Sequence, residues 1–191
     1  ITKPIPRKEL LSIRLKLIKF ISQLEGNYEV IICGSFRRKK PTSGDIDVLI
    51  LSTELPTEES IRDESINHLQ FIVEHLKKKK LIVDSLTVGG STKFMGLCKA
   101  TKAGIGRRID IRLIPYQSKA SAMLYFTGSG NFNKVMRTHA LKKGYTINEY
   151  GIYKLKKEGK KMVKGALIPT ESEEDIFKIV GMKYVTPKDR L

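Results

Sequence analysis

The stretch Cys33–Ile50, CGSFRRKKPTSGDIDVLI, decides the first half of the fold. A glycine–serine pair and a run of basic residues lead into Asp45 and Asp47, which lie one residue apart at the start of an apolar run. The β-branched residues of that run predict a buried strand. Because alternate residues of a strand point to the same side, we expect the two carboxylates to share one side, and Ile46 and Val48 to face the core.

The paired aspartates predict a divalent-metal site. Two neighbouring carboxylates repel each other, and a bound cation removes that repulsion. Oxygen ligands suit Mg²⁺, which proteins usually hold with one or two carboxylates plus substrate phosphates. Asp110, in the alternating segment GRRIDIRLIP, is a third candidate ligand, with Arg108 and Arg112 on its own face. Three aspartates on neighbouring strands could hold two metal ions, whereas a bare D-x-D pair is more often a turn cap and a solvated side chain.

The turn that precedes the aspartates has the features of a phosphate-binding loop. Gly34 allows the backbone to approach a ligand closely, and Ser35 offers a hydroxyl and an amide N–H. Arg37 and Arg38 add positive charge in a form that can grip phosphate with two hydrogen bonds. Taken alone, a Gly-Ser pair indicates an ordinary turn. Followed by the paired aspartates, it predicts a metal–nucleotide site.

The rest of the chain predicts an α+β fold in two parts. Residues 1–115 alternate between helices and strands, and the segment that begins at Ile5 is an amphipathic helix. A hairpin turned at Gly89-Gly90 follows later. Residues 116–191 predict a smaller α+β part with two helices separated near Gly130, a basic loop over residues 156–165 and a helix capped by Ser172. The expected apolar face of the first helix is Leu10, Leu11, Leu15, Ile18 and Ile21.

Charge and composition indicate the class of partner. The 191 residues carry a formal net charge of +16, which favours nucleic acid as a partner ahead of an anionic membrane. No apolar stretch approaches the roughly 20 residues of a membrane-spanning helix, and no signal peptide opens the chain. Cys33 and Cys98 predict buried thiols in a reducing compartment rather than a disulfide. Ile1 in place of a start methionine is expected of a processed or excised chain.

Several segments together resemble one enzyme family. The G-S pair followed, about ten residues later, by D-x-D resembles the nucleotidyltransferase superfamily. Four later segments resemble the family X DNA polymerases of the polymerase beta type, and the similarity runs from IPRKEL to PKDR. They are TKFMGLC, RRIDIRLIP, LYFTGSGNFNKVMRTHALKKGYTINEYGIY and EEDIFKIVGMKYVTPKDR. The resemblance implies a catalytic palm with a mixed sheet packed on helices over residues 1–115, and a nascent-base-pair-binding subdomain over residues 116–191.

The resemblance also implies roles for individual residues. Asp45, Asp47 and Asp110 would bind two Mg²⁺ ions, for which Mn²⁺ could substitute. Asp110 would help to activate the primer 3′-OH, and Arg108 would interact with the catalytic carboxylates. Residues implied to bind the incoming nucleotide are Gly34, Ser35, Arg38, Gly44, Tyr125, Phe126, Gly128 and Asn133. Residues implied to bind DNA are Lys93, Lys134, Arg137 and Tyr150.

The sequence also departs from the family pattern. Gly130 stands where the polymerase beta type has an aspartate that packs over the incoming base, so that contact is lost. Pro4 stands where a phosphate-contacting arginine would be. The family's lyase domain and helix-hairpin-helix subdomain have no counterpart in these residues. The expectation is therefore either a minimal member of the family or a catalytic fragment.

The expected function is a template-directed DNA polymerase that fills short gaps during base excision repair. It would bind gapped or primer–template DNA and dNTPs, have no membrane partner, act as a monomer, and reside in a reducing intracellular compartment, either the nucleus or a site of viral DNA replication. One alternative is a template-independent nucleotidyltransferase, or one that acts on RNA or a small molecule. Another is a DNA-binding module with little activity. The segment Tyr125–Gly128, together with Asn133 and Arg137, favours template reading.

Overall fold

A five-stranded mixed sheet forms the centre of the first of two units. The structure, a computed structural model, describes residues 3–63 and 65–191; the first unit ends at Tyr116 and the second covers Gln117–Leu191. The elements of the first unit are β1 (Ile5–Pro6), α1 (Arg7–Ile21), β2 (Tyr28–Ile32), α2 (Gly34–Arg37), β3 (Thr42–Ser43), β4 (Ile46–Ser52), α3 (Glu58–Ile61), α4 (His68–Lys78), β5 (Ile82–Ser85), β6 (Lys93–Cys98) and β7 (Arg107–Leu113). The strand order is β2-β4-β7-β6-β5, and β1 pairs separately with β3.

The two central strands carry the predicted aspartates. β4 and β7 run parallel and the other neighbours in the sheet run antiparallel. Alternate residues of both strands, such as Val48 and Ile111, are buried in a core that they share with α1 and α4. Asp47 and Asp110 alternate with these core residues and are partners in the parallel register. The expected orientation of the strands is therefore confirmed, as is the α+β class with a mixed sheet packed on helices.

Helix α1 buries a different stripe from the one that the sequence indicated. Leu11, Leu15 and Ile18 were part of the expected apolar face, but they are 41%, 63% and 37% exposed. The apolar residues of α1 form two neighbouring stripes, both with helical spacing, and spacing alone does not tell which one faces the sheet. Each fully buried leucine or isoleucine contributes about 1.5–3 kcal/mol of transfer free energy. The buried stripe is Leu10, Ile13, Leu17 and Ile21.

The second unit is a small three-stranded sheet with helices. Its elements are α5 (Lys119–Thr127), α6 (Gly130–Lys142), β8 (Tyr145–Ile147), β9 (Ile152–Glu158), β10 (Lys161–Ile168) and α7 (Glu173–Ile179), with short 3₁₀ turns at Tyr116–Ser118 and Pro187–Asp189. The sheet is antiparallel in the order β10-β9-β8. A separate core includes Phe132, Ile152 and Phe177. Ser172 caps α7 as expected, since its Oγ accepts from the backbone N–H of Asp175.

The basic segment over residues 156–165 is not a loop, which corrects the prediction. It forms the end of β9, a turn at Gly159 with φ +64°, and the start of β10. Val163 pairs with Lys156 and Met162 with Lys157, so apolar side chains oppose lysines across the hairpin. Lysine has a low strand propensity, but cross-strand pairing outweighs propensity here. Among the helices of the described residues, none is long and apolar enough to cross a bilayer.

Candidate catalytic metal and nucleotide site

Three carboxylates come together at one end of the five-stranded sheet. Asp45 directly precedes β4, Asp47 is the second residue of β4, and Asp110 pairs with Asp47 from β7. Each aspartate offers one oxygen, and these oxygens all lie within 4.8 Å of one another. The parallel pairing of β4 with β7 therefore places the three side chains that the sequence singled out in one cluster.

The cluster has the electrostatics of a cation site. Burial, followed by repulsion from Asp45 and Asp110, raises the pKa of the Asp47 carboxyl to about 6. Burial and the neighbouring Asp110 likewise raise the pKa of Asp45. Arg38 and Arg112 oppose the shift at Asp47 only in part. Three hard oxygen donors whose mutual repulsion is not cancelled by the protein fit a divalent metal ion, which is the cofactor type that the family uses.

Arg108 holds one of these carboxylates in place. Its Nη2 donates to Oδ1 of Asp110 at 2.9 Å, and the two side chains are 27% and 13% exposed. The Nε of Arg108 is buried and makes no hydrogen bond within residues 3–63 and 65–191. Arg108 thus orients Asp110 and keeps one donor for a further partner. The contact agrees with the role that the sequence suggested, although that role stays a prediction.

Gly34 lies directly against Asp47. Its φ is +60°, and a Cβ built on it would lie 2.5 Å from Oδ2 of Asp47, which is too close for any side chain. The backbone N–H of Cys33 donates to the carbonyl oxygen of Asp47 at 2.8 Å. The Gly-Ser turn and the strand β4 are therefore in direct contact, and only glycine fits between them.

Ser35 and Arg38 occupy the same turn as Gly34. The hydroxyl of Ser35 donates to Oγ of Ser43, a buried residue of β3, at 2.7 Å. Burial lowers the pKa of Arg38, while the nearby Asp47 works in the opposite direction. Gly44 lines a cleft of about 330 Å³ beside Arg108, and no atom lies within 4 Å of the position that a Cβ would occupy there. Space therefore does not require glycine at position 44.

Two arginines that support the site were not predicted from the sequence. Arg7 donates to the carbonyl oxygen of Phe36 at 2.8 Å, and its guanidinium lies 4.1 Å from the Phe36 ring, so it fixes the phosphate-side turn. Arg107 is 6% exposed and is bound by Glu9 through two hydrogen bonds of 2.6 and 2.8 Å. The alternation in RRIDIRL placed Arg107 on the apolar face, which was the available signal for its burial.

The remaining predicted nucleotide contacts lie in the second unit. Tyr125 and Phe126 are near the end of α5, with ring centroids 5.0 Å apart in an edge-to-face arrangement. Gly128 follows α5 with φ +68°. The side-chain amide of Asn133 donates to the carbonyl oxygen of Tyr125 at 2.8 Å. The helix α6 thus braces the Tyr125–Gly128 segment through Asn133.

The predicted DNA contacts are surface residues of both units. Lys93 is the exposed first residue of β6, opposite Arg112 on β7. Lys134 and Arg137 are exposed on α6, and Tyr150 is half-buried between β8 and β9. Gly130, the first residue of α6, has open space where a Cβ would lie. The backbone would therefore accept a side chain there.

Comparisons with known proteins identify the family of this chain. The family model described as DNA polymerase beta palm matches residues 4–116, and the one described as DNA polymerase beta thumb matches residues 122–191. DNA polymerase lambda of Rattus norvegicus is 35% identical over 84% of this chain and 28% of its own length. DNA polymerase lambda of Arabidopsis thaliana is 23% identical over 97% of this chain and 36% of its own.

A third relative is the DNA polymerase type-X family protein pol4 of Schizosaccharomyces pombe, 25% identical over 89% of this chain and 35% of its own length. The chain thus spans between 28% and 36% of the length of these curated relatives. The matched segments include the Gly34–Asp47 turn and strand, the Asp110 strand and the Tyr125–Arg137 helices. With both domain models matched in order over nearly all its residues, the chain belongs to the family X DNA polymerases.

Proposed function

We propose that this chain is the catalytic part of a template-directed DNA polymerase that adds dNTPs to a primer 3′-OH. The observation that carries the proposal is the cluster of Asp45, Asp47 and Asp110, with Arg108 bound to Asp110 at 2.9 Å. The relatives that match the chain are named DNA polymerases, which supports the same activity. Short-gap filling during DNA repair is the proposed setting.

The aspartates are the proposed ligands of two Mg²⁺ ions, and Mn²⁺ is expected to replace them. When bound, such ions lower the barrier to deprotonating the primer hydroxyl and neutralise the triphosphate. Asp45 and Asp47 would hold the cations near the triphosphate. Asp110 lies on the neighbouring strand, and Arg108 fixes one of its oxygens so that the other can face the primer hydroxyl.

The Gly-Ser turn positions the nucleotide for the reaction. Gly34 lets the turn lie against Asp47, and Ser35 and Arg38 are the proposed donors to the β- and γ-phosphates. The primer O3′ gives up its proton, for which Asp110 is the proposed acceptor, and forms a bond to the α-phosphorus; the bond from that phosphorus to the bridging oxygen breaks, and pyrophosphate leaves. Positioning and charge stabilisation supply most of the catalysis in such transfers.

The second unit carries the proposed selection of the nucleotide. The backbone of Tyr125–Gly128 would obstruct a 2′-hydroxyl and so favour deoxynucleotides. Asn133 is the proposed contact to the incoming base, and Arg137, one helical turn along α6, is the proposed contact to the template. Asn133 donates to Tyr125 in this structure, so contact with a base would use its second amide hydrogen or its carbonyl oxygen, or would exchange that hydrogen bond.

A primer-extension assay with a gapped duplex, one dNTP at a time and Mg²⁺ tests the proposal. We expect incorporation only opposite the matching base, and loss of incorporation when Mg²⁺ is chelated. Incorporation that ignores the template would favour a template-independent nucleotidyltransferase. Binding of the duplex without any incorporation would favour a DNA-binding module instead.

The proposal also covers the oligomeric state, the binding partners and the cellular location of the protein. We propose a monomer that binds DNA and dNTPs, has no membrane partner, and works in a reducing intracellular compartment, either the nucleus or a site of viral DNA replication. Cys33 and Cys98 support the reducing compartment, because both are buried and form no disulfide. Sedimentation at several protein concentrations tests the monomer, and fluorescent tagging in cells tests the location.

A further inference from the structure

The first unit has a second basic site, away from the aspartate cluster. A cleft of about 570 Å³ lies between the ends of α1 and α4 and the strands β5 and β6. Its volume is within the roughly 300–1,000 Å³ of typical ligand sites. We call it the lysine cleft, after its charged lining of Lys16, Lys79, Lys80, Lys99 and Lys102 around Phe20.

The charge of the lysine cleft is not neutralised by its surroundings. None of the described residues that line it is acidic. Within residues 3–63 and 65–191, none of its five lysines forms an ion pair with a carboxylate. Lys16 instead donates to the carbonyl oxygen of Ala100. Like charges lining one concave surface raise the local concentration of anions, so the cleft favours a polyanionic ligand.

Phe20 gives the cleft an aromatic wall. The ring is half-buried, and the ammonium groups of Lys19 and Lys79 lie 5.9 and 6.0 Å from its centroid. Lysines that follow a backbone and an aromatic ring that stacks on a base are the two parts of a single-strand nucleic-acid site. A ring recessed among lysines suits a strand better than a bilayer, since membrane-binding surfaces present their apolar residues outward.

The register of the sheet places the cleft relative to the aspartates. Ile82 at the start of β5 pairs with Cys98 at the end of β6, and Cys98 pairs with Arg107 at the start of β7. The lysine cleft is therefore at the same end of the sheet as the aspartate cluster, but at the β5 edge and on the side of the helices. A strand could occupy both sites without competing for the same residues.

We propose that the lysine cleft binds the phosphodiester backbone of single-stranded DNA, with one base against Phe20. This site is separate from the aspartate cluster, so it can be tested without catalysis. The binding of a short fluorescent oligothymidine is measured by anisotropy in EDTA over a range of salt concentrations. The test variant replaces Lys79, Lys99 and Lys102 by glutamine, and the matched control replaces the exposed Lys178, Lys183 and Lys188 of the second unit by glutamine.

The cleft variant should bind about tenfold more weakly and lose about 2 from the slope of log K against log salt, since each single-strand phosphate contact contributes about 0.7. The control should keep the slope. Phe20→Leu, which retains apolar bulk, should weaken binding severalfold without changing the slope. Circular dichroism spectra of the variants check that they are folded.

Three results would overturn the proposal. Equal losses in the cleft and control variants would mean that net charge alone attracts DNA. Unchanged binding in the cleft variant would mean that these lysines are only solvated. Chemical acetylation of the cleft lysines provides a further measurement. If phosphatidylserine vesicles protect these lysines and the oligonucleotide does not, the cleft would be assigned to a membrane surface.

Discussion

The two units bury charge in opposite ways. The first collects three carboxylates whose oxygens lie within 4.8 Å of one another. The second buries Arg190 completely and pairs it with Glu173 at 2.6 Å. The Arg190 guanidinium lies 5.8, 5.4 and 5.7 Å from the ring centroids of Phe132, Phe177 and Tyr184.

This difference distinguishes the buried charge of Arg190, which stabilises the fold, from the aspartate charges, which are proposed to take part in catalysis. Arg190 also donates to the carbonyl oxygen of Val185 at 3.0 Å, so its charge is countered by Glu173 inside the protein and ties residues 185–190 to the core of the second unit, while its buried Nη2 makes no hydrogen bond within residues 3–63 and 65–191. In the aspartate cluster, repulsion from Asp45 and Asp110 adds to burial in raising the pKa of Asp47 to about 6, and a bound cation would relieve that repulsion. Such perturbed groups concentrate at functional sites because their environment is arranged for the ligand.

Breaking the like-charge cluster should have the largest effect on activity. We expect Asp110→Ala to reduce primer extension about a hundredfold to a thousandfold, as loss of a charge-stabilising group at a reaction centre does. DNA binding, measured by anisotropy, should stay close to that of the unaltered protein. Asp84→Ala, an exposed aspartate on the edge strand β5, is the control and should extend primers normally. Near-normal extension by Asp110→Ala would remove Asp110 from the catalytic site.

Breaking the opposite-charge pair should have the largest effect on stability. We expect Glu173→Gln to lower the free energy of unfolding by about 3 kcal/mol, because the buried Arg190 loses its counter-charge. Urea denaturation followed by circular dichroism measures the change. Glu174→Gln, at the exposed neighbouring position of α7, should have little effect. Equal changes in the free energy of unfolding for Glu173→Gln and Glu174→Gln would show that the Arg190–Glu173 pair does not stabilise the protein specifically.

A second ion pair, Arg107 with Glu9, tests how solvent exposure of one partner reduces the stability that is lost when the pair is broken. Glu9 is 26% exposed, so we expect Glu9→Gln to cost about 2 kcal/mol, the value of a hydrogen bond to a charged group. Hydrogen bonds from Arg107 lower the pKa of Glu9, so the stability from this pair is complete above its ordinary pKa of 4.5 and is lost as the pH falls through the lowered value.

We therefore expect the difference in the free energy of unfolding between Glu9→Gln and the unaltered protein to shrink as the pH falls through this acid range. Glu25→Gln, at an exposed position after α1, controls for the change in net charge. A difference that is independent of pH would mean that Glu9 acts through packing rather than through its charge.

The smallest expected change in the free energy of unfolding is a gain, and it is expected for Asp47→Asn. Asp47→Asn removes one buried charge from the cluster, and we expect it to raise the free energy of unfolding in EDTA by about 1 kcal/mol while impairing primer extension. We also expect Mg²⁺ to raise the melting temperature of the unaltered protein but not that of Asp47→Asn. Asp84→Asn should change neither quantity. A loss of stability in Asp47→Asn would mean that repulsion within the cluster is already relieved by the protein.

The central sheet and the aspartate cluster could be predicted because their signals are local. Alternation places Asp47 and Asp110 on one side of their strands, and parallel pairing brings them together. The buried pairs could not be predicted, since Arg107 and Glu9 are 98 residues apart in the chain and an arginine among apolar residues has no signal for its partner. The correct stripe of α1 depends on which side the sheet lies, which is likewise a property of tertiary packing.

The contact between Gly34 and Asp47 limits which substitutions this chain can accept. Because a side chain at position 34 would collide with Oδ2 of Asp47, the Gly-Ser turn cannot carry one without displacing the Asp47 carboxylate. A substitution at this position would therefore disturb the proposed nucleotide-binding turn and the proposed metal site at the same time. We expect nucleotide preference and metal preference to change together among variants at this position.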